Sequence, residues 1–432
     1  MAWQIVGMLA VITAIGVSIA LHEVGHLLPA KKFGVRVSDY AIGFGPSLWS
    51  KRIGETLYAI RLIPVGGYIR MIGMYPPARK PVGAGRLAQM AEGARSEALA
   101  EVLESDAGRT FYELPVRKRV IIMLGGPTMN LVLAVLFFAA ALVGVGVNSP
   151  SLTVKTVTPC YVTTDNPSGA QKDGTCVDGV SAAAQAGIKP GDVIKEINRE
   201  PVKDWTDLGA KLEKFGRGGN GTVTVLHEGD VLMTTNVTFQ SLTLDRYDNA
   251  GNPTGEQYQR AFLGVITVWE REHLPISTVP RVMWNMTTMS AQAIVQFPQK
   301  VWELGKTLLS GGERDPNGPV SVVGATRIGG EIVASEWSNA DKVFSLLMLA
   351  GSLNLFLFLF NLLPLLPLDG GHVAGAAWEV VRDGVNRVRG RAKGGPADIA
   401  RLLPLTYAVS VLLIAVGALV IWADIVKPIS LG

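Results

Sequence analysis

Charge is scarce in this chain. Asp, Glu, Lys and Arg make up only 18% of its 432 residues, against 48% hydrophobic residues. The net charge of +4 decides little by itself, because in an apolar chain its distribution matters more. No nucleic-acid partner is expected. Cysteine is nearly absent, with Cys160 and Cys176 in one polar segment. Two cysteines exclude a disulfide framework and a four-cysteine zinc site. One bridge stays open if that segment lies in an oxidising compartment. There is no internal repeat.

The scarce charge is absent altogether from four stretches of bilayer-spanning length: the N-terminus to Leu21, Val120–Val147, Phe344 to about Leu363, and Leu402–Ala423. The first lacks the basic start and small-residue cleavage site of a signal peptide, so it reads as a retained span. Lys31, Lys32 and Arg36 follow span one, and Arg117, Lys118 and Arg119 precede span two. Arg382, Arg387, Arg389, Arg391 and Lys393 lie between spans three and four. The positive-inside rule makes these loops cytoplasmic and places both termini and the long stretch 148–343 outside.

The other segments read more coarsely. Residues 35–72 alternate like strands around a Gly54-Glu55 turn. Residues 76–113, rich in Ala, Gly and charge, predict a flexible or weakly helical loop. Strand-like runs at Thr222–Leu226 and Asn236–Phe239 flank a helix at Trp205–Phe215, and residues 277–310 predict amphipathic surface helices.

The sharpest signal is His22-Glu23-Val24-Gly25-His26 at the end of span one. On a helix, i and i+4 share a face, so both imidazoles can bind one zinc while the intervening Glu serves as general base. The bland alternative is a polar helix end. Three ionisable residues in five, continuous with an apolar span, are too costly for that without partners or a function.

Catalytic zinc needs a third protein ligand and an open position. His227 and His273 fall in the outside segment as ordinary surface residues. Asp369 and His372 follow span three, and the coordination rule alone does not choose between them. Depth supports Asp369. His22 lies roughly 28 Å along span one at 1.5 Å per residue, and span three returns to the same face. Pro364 and Pro367 break the helix just before Asp369.

Two motifs together, H-E-x-G-H and the N-x-x-P-x-x-P-L-D-G of Asn361–Gly370, resemble the site-2 protease family of intramembrane zinc metalloproteases. The chain is similar to the RseP branch, and its arrangement to the actinobacterial Rip-type members. Gly43-Phe44-Gly45-Pro46 and Pro64-Val65-Gly66-Gly67-Tyr68 resemble the family's membrane-reentrant β-hairpin. Gly126-Pro127-x-x-Asn130 and Gly318-Pro319-Val320-Ser321 resemble its lead-ins to later spans. The segment 181–205 resembles the A-G-l-k-x-G-D-x-I core of a PDZ domain. Phe262-Leu263-Gly264-Val265 resembles the carboxylate-binding loop of the circularly permuted form.

The resemblance implies a polytopic α-helical protein of about four spans, with a membrane-associated β-hairpin and an extracytoplasmic permuted PDZ domain. The expected segments are span one with its motif (1–28), a cytoplasmic loop (29–119) with the hairpin at about 40–72, and span two (120–147). The PDZ domain (150–270), an outer amphipathic region (271–343), span three (344–372) and span four (402–423) follow. One Zn2+ per chain on His22, His26 and Asp369 is implied, with Glu23 catalytic. Substrate contacts are implied for Asn361, Gly66 and Gly67, and peptide-end contacts for Leu263 and Gly264. The bland readings are an interhelical hydrogen bond for Asn361 and a merely packing hairpin. A Cys160–Cys176 bridge matches similar pairs in Rip-type members.

Implied partners are the bilayer, single-pass membrane substrates such as anti-sigma factors, and an upstream site-1 protease that clips them first. The PDZ segment reads as a filter against bulky outer domains, or as a sensor of peptide ends. Two rival functions are a non-enzymatic PDZ scaffold and a transporter. The first has no use for the costly polar set, and the second shows no repeat halves.

Overall fold

A computed structural model of the protein describes residues 2–78, 85–161, 171–172, 175–176, 179–216, 218–227, 231–247 and 253–429. The chain forms two compact units, Met1–Gly146 with His273–Gly432, and Val147–Glu272. Among the described residues four helices are long and apolar enough to cross a membrane: Ala2–Lys32, Val116–Val145, Asn339–Asn361 and Ile399–Val426. Their outer faces carry bare apolar side chains, such as Leu9 at 57%, Leu136 at 58% and Ile414 at 71% exposure. Such faces suit hydrocarbon rather than water. The chain is a multi-pass membrane protein.

Helix α1 (Ala2–Lys32) has 31 residues and so runs about 46 Å. Strands β1 (Val37–Ile53) and β2 (Thr56–Met71) follow. Asp39, Tyr40, Ala41 and Ile42 each pair twice, once within residues 57–60 and once within 67–70. The hairpin therefore folds back on itself, and Gly43 permits the bend with φ +86. Residues 67–71 take their strand partners from 37–42 among the described residues, so they form one edge of the small sheet. Phe44, Leu48, Trp49 and Ile63 of the hairpin are exposed.

The loop 76–113, expected to be flexible or weakly helical, is helical in part and held by tertiary contacts among its described residues. Helix α2 (Arg86–Ala100) lies within it. Arg95, only 2% exposed, pairs with Asp398 at 2.6 Å and fastens that helix to the segment before the last span. Arg36 pairs with buried Asp106 at 2.8 Å, and Phe111 N–H donates to the Ile72 carbonyl. Tertiary ion pairs outweigh a weak local signal here. Residues 79–84 lie outside the described set. Helix α3 (Val116–Ala139) ends in a π turn, Ala140–Val145.

The second unit contains β3 (Val147–Val157), β4 (Gln171–Lys172), β5 (Thr175–Cys176), α4 (Ala182–Gln185), β6 (Val193–Ile197), β7 (Glu200–Pro201), α5 (Trp205–Phe215), β8 (Gly219–His227), β9 (Val231–Tyr247), β10 (Pro253–Phe262) and β11 (Val265–Glu272). One sheet has the order β10-β9-β8-β6-β3-β11, with β7 beside β6. Helix α5 starts at an Asp204 cap that accepts from Asp207 N–H, and its apolar face (Leu208, Leu212) enters a core with Ile194, Ile197, Val223 and Phe239.

Cys160 and Cys176 are bridged, with Cα atoms 5.2 Å apart and a sequence separation of 16. A loop of that size predicts that Cys176→Ser lowers the stability of this unit by about 3 kcal/mol. Thermal unfolding of the whole protein with and without reductant measures it. An unchanged β-unit transition would mean that the bridge constrains nothing in the unfolded chain.

The chain then forms α6 (Val279–Ser310), α7 (Val322–Ala334), α8 (Asn339–Asn361), α9 (Asp369–Val388) and α10 (Leu403–Val426). The stretch 277–310, expected to form amphipathic surface helices, is almost wholly one 32-residue helix, and α7 lies beyond it. The third span is not one piece over 344–372. Helix α8 ends at Asn361, residues 362–368 turn, and α9 begins at Asp369. The two prolines that interrupt the apolar run force this break. Small residues let the helices touch. A Cβ on Gly7 of α1 would lie 2.2 Å from the Gly329 carbonyl of α7. Gly351 of α8 lies against Phe138, and Asn354 Nδ2 donates to Ser18 Oγ of α1 at 2.9 Å.

Candidate metal centre

The centre begins where α1 and α3 meet. A Cβ on Gly25 would sit 2.3 Å from the Gly125 carbonyl oxygen, and one on Gly125 would sit 2.0 Å from that of Gly25. The two backbones are therefore in contact, which only glycine allows. This brings the middle of α3 onto the face of α1 that carries both imidazoles.

His26 is 4% exposed, and its Nδ1–H donates to the Ile122 carbonyl at 2.8 Å. That bond fixes the tautomer and leaves Nε2 with a free lone pair. His22 Nδ1 lies 3.0 Å from the side-chain amide of Asn130, which is 1% exposed. With a metal on Nε2, His22 Nδ1 carries the proton and the Asn130 amide presents its oxygen to it. A half-turn of the amide supplies that arrangement. Asn130 Oδ1, otherwise without a partner, then accepts from His22 Nδ1.

Three donor atoms then converge. His22 Nε2 and His26 Nε2 are 3.2 Å apart, and Asp369 Oδ2 is 3.4 Å from each. A tetrahedral zinc with ligands at about 2.0–2.1 Å places neighbouring donors roughly 3.3–3.4 Å apart. The triangle fits that ion without rearrangement. His22, His26 and Asp369 are the group found among the described residues with a metal-binding arrangement. His372, the sequence alternative, does not enter it. The residue is half-buried, and its shielded Nδ1 has no hydrogen-bond partner.

Asp369 reaches the triangle because of how α9 starts. Residues 362–368 fold tightly under it, with a cis Leu366–Pro367 bond. A Cβ on Gly370 would lie 2.2 Å from the Leu363 carbonyl oxygen, and one on Gly371 2.7 Å from Leu366 N. The two glycines after Asp369 are thus required by the close approach of this turn.

Glu23, 8% exposed, lies between α1 and the hairpin. A Cβ on Gly67 would be 3.0 Å from Glu23 Cγ. Gly66 has φ +85 and lies against Phe44. The edge formed by residues 67–71 therefore begins beside the carboxylate adjoining the metal triangle. Asn361 is half-buried at the end of α8.

Leu263 and Gly264 belong to the other unit. Leu263 is buried in its core, and its carbonyl accepts from Ala183 N–H. Gly264 has φ +85 and lies against Ser181.

Three contributors carried no assigned role in the sequence: Ile122, Gly126 and Asn130. A Cβ on Gly126 would lie 2.2 Å from His26 Nε2 and 2.7 Å from His22 Nε2. The Gly126-Pro127-x-x-Asn130 run was a visible signal for two of them. The Ile122 carbonyl has no side-chain signature.

The pattern of peptidase family M50 matches residues 10–396. The chain is 34% identical to zinc metalloprotease Rip1 of Mycobacterium tuberculosis, over 99% of both chains. It is 31% identical to zinc metalloprotease Rip1 of Mycolicibacterium smegmatis, over 99% of this chain and 98% of that one. It is 26% identical to metalloprotease MmpA of Caulobacter vibrioides, over 92% of both.

Proposed function

The chain belongs to peptidase family M50, and from that premise we propose that it cleaves single-pass membrane proteins within or near the bilayer. It is a zinc metalloendopeptidase of the site-2 protease type. The observation that carries the mechanism is the donor triangle of His22, His26 and Asp369, whose edges of 3.2 and 3.4 Å suit one tetrahedral ion.

His22, His26 and Asp369 would hold the zinc. Zinc in such a centre supplies Lewis acidity toward water and toward the scissile carbonyl. Glu23 takes a proton from the attacking water and delivers it to the leaving amine. The Ile122 carbonyl and the Asn130 amide keep both imidazoles in the metal-binding tautomer.

A membrane helix hides its carbonyls in its own hydrogen bonds, so the substrate must be extended at the point of cleavage. The edge at residues 67–71 offers backbone groups for a substrate strand. Gly66 and Gly67 keep that edge clear beside Glu23, and Asn361 holds the substrate from the other side.

The second unit acts as a circularly permuted PDZ domain that excludes bulky outer domains, with the Leu263–Gly264 backbone as its peptide-end loop. Both termini and this unit lie outside the cell, and the metal lies toward the cytoplasmic side. The basic loops of the sequence support that orientation. Substrates of the anti-sigma-factor kind, clipped first by another protease, fit an enzyme with such a filter.

Elemental analysis of detergent-purified protein tests the centre. About one zinc per chain is expected in wild type, falling to near zero in Asp369→Ala. A folded wild-type protein without zinc would overturn the assigned mechanism.

A further inference from the structure

Asp369 is the metal-centre residue with the longest route to the others. His22 and His26 share one helix, and α3 grips both directly. Asp369 sits at the start of α9, whose connections on both sides are turns (362–368 and 389–402) rather than continuous helix. Its N-terminus has no side-chain cap. The axial position of α9 must therefore come from what packs against it.

One directional contact supplies it. A single guanidinium nitrogen of Arg119, in the second turn of α3, reaches both carboxylate oxygens of Glu379 on α9, at 2.7 and 2.8 Å. Both residues are 6% exposed. Arg119 Nε donates to the Leu114 carbonyl at 3.1 Å, and Ala397 N–H donates to Glu379 Oε2 at 2.9 Å. The node thus joins α3, α9, the segment before α10, and the turn at Leu114. That turn packs in one apolar cluster with Val37, Tyr40 and Met71 of the hairpin.

A buried ion pair adds little net stability over apolar residues of equal volume, but it fixes geometry because both charges must stay paired. We infer that Arg119 and Glu379 are positioning residues that set Asp369 against His22 and His26. Arg119 lies one turn before Ile122, whose carbonyl orients His26. One helix therefore holds all three ligands: His26 through Ile122, His22 through Asn130, and Asp369 through the Arg119–Glu379 pair. Apolar packing of Val373 against the cluster that holds Ile122 and Met123 steadies α9 but has no direction of its own.

This inference rests on the zinc reading above, and the test separates the two. The full chain in detergent is stripped of metal and titrated with Co2+, read by its visible absorption, with thermal unfolding of the metal-free protein in parallel. Wild type is expected to take one Co2+ per chain with a tetrahedral spectrum. A wild type that takes none would overturn the zinc reading, and the positioning role with it.

Glu379→Gln is expected to weaken Co2+ binding about 10-fold, the low end of what is lost with a partner bonded to a ligand itself. Its spectrum should move toward that of Asp369→Ala. The double variant Arg119→Met/Glu379→Met keeps volume without charge and should fold with near wild-type stability. It should show the same weakened affinity and altered spectrum. Glu379→Asp should restore part of the affinity. Wild-type affinity and spectrum in the folded double variant would overturn the inference, whether or not Glu379→Gln folds.

Discussion

Glu23→Gln should lower peptide-bond cleavage by about 10²–10⁴-fold while leaving about one zinc per chain. The substitution keeps the shape of the side chain and removes its ability to accept a proton. Glu23 is buried between α1 and the strand edge, at 8% exposure. The metal triangle consists of His22, His26 and Asp369 and does not include Glu23, so the ion should stay. The measurement is cleavage of a single-pass membrane substrate reconstituted with the purified variant, beside elemental zinc analysis. Near wild-type turnover with zinc in place would remove Glu23 from the mechanism. Loss of zinc along with activity would make it a structural support of the centre.

Gly126→Ala should abolish activity by the opposite route, through loss of the metal. The added Cβ would lie 2.2 Å from His26 Nε2 and 2.7 Å from His22 Nε2, against the two nitrogens proposed to hold the ion. Relief by separating the helices is blocked at the neighbouring crossing. There the Gly25 and Gly125 backbones already touch, and the Ile122 carbonyl must stay within reach of His26. Zinc per chain should fall to near zero, with cleavage below detection. The same substitution at Gly16, where a Cβ meets nothing within 4 Å, should change neither. Normal zinc in Gly126→Ala would show that α3 can shift without cost, and the close-packed picture of this crossing would be wrong.

Much of the chemistry was legible because it is local. His22 and His26 fall on one helical face through spacing alone, with Glu23 beside them. The spans were legible because hydrocarbon thickness sets a minimum length for apolar runs. The break before Asp369 followed from Pro364 and Pro367. Less legible was the loop 76–113, whose order comes from ion pairs such as Arg95–Asp398, across roughly three hundred residues of chain. No local propensity encodes such a partner. The double pairing of β1 was hidden for the same reason, since a strand's second neighbour leaves no trace in its own alternation.

By itself, the sequence located a histidine pair on α1 with a glutamate between them, four apolar stretches of spanning length and the membrane setting. These follow from helical periodicity and from the cost of charge in hydrocarbon, both of which act over a few residues. Only the tertiary structure shows that Asp369, which the sequence already favoured, lies 3.4 Å from both imidazole nitrogens while His372 stays outside that group, since this depends on which side chain α9 aims at α1. It also decided that Gly126 must lack a side chain, that Asn130 and Ile122 serve the imidazoles, and that Arg119 meets Glu379. Each of these is a contact between helices far apart in sequence, and distance in space is fixed by packing rather than by spacing along the chain.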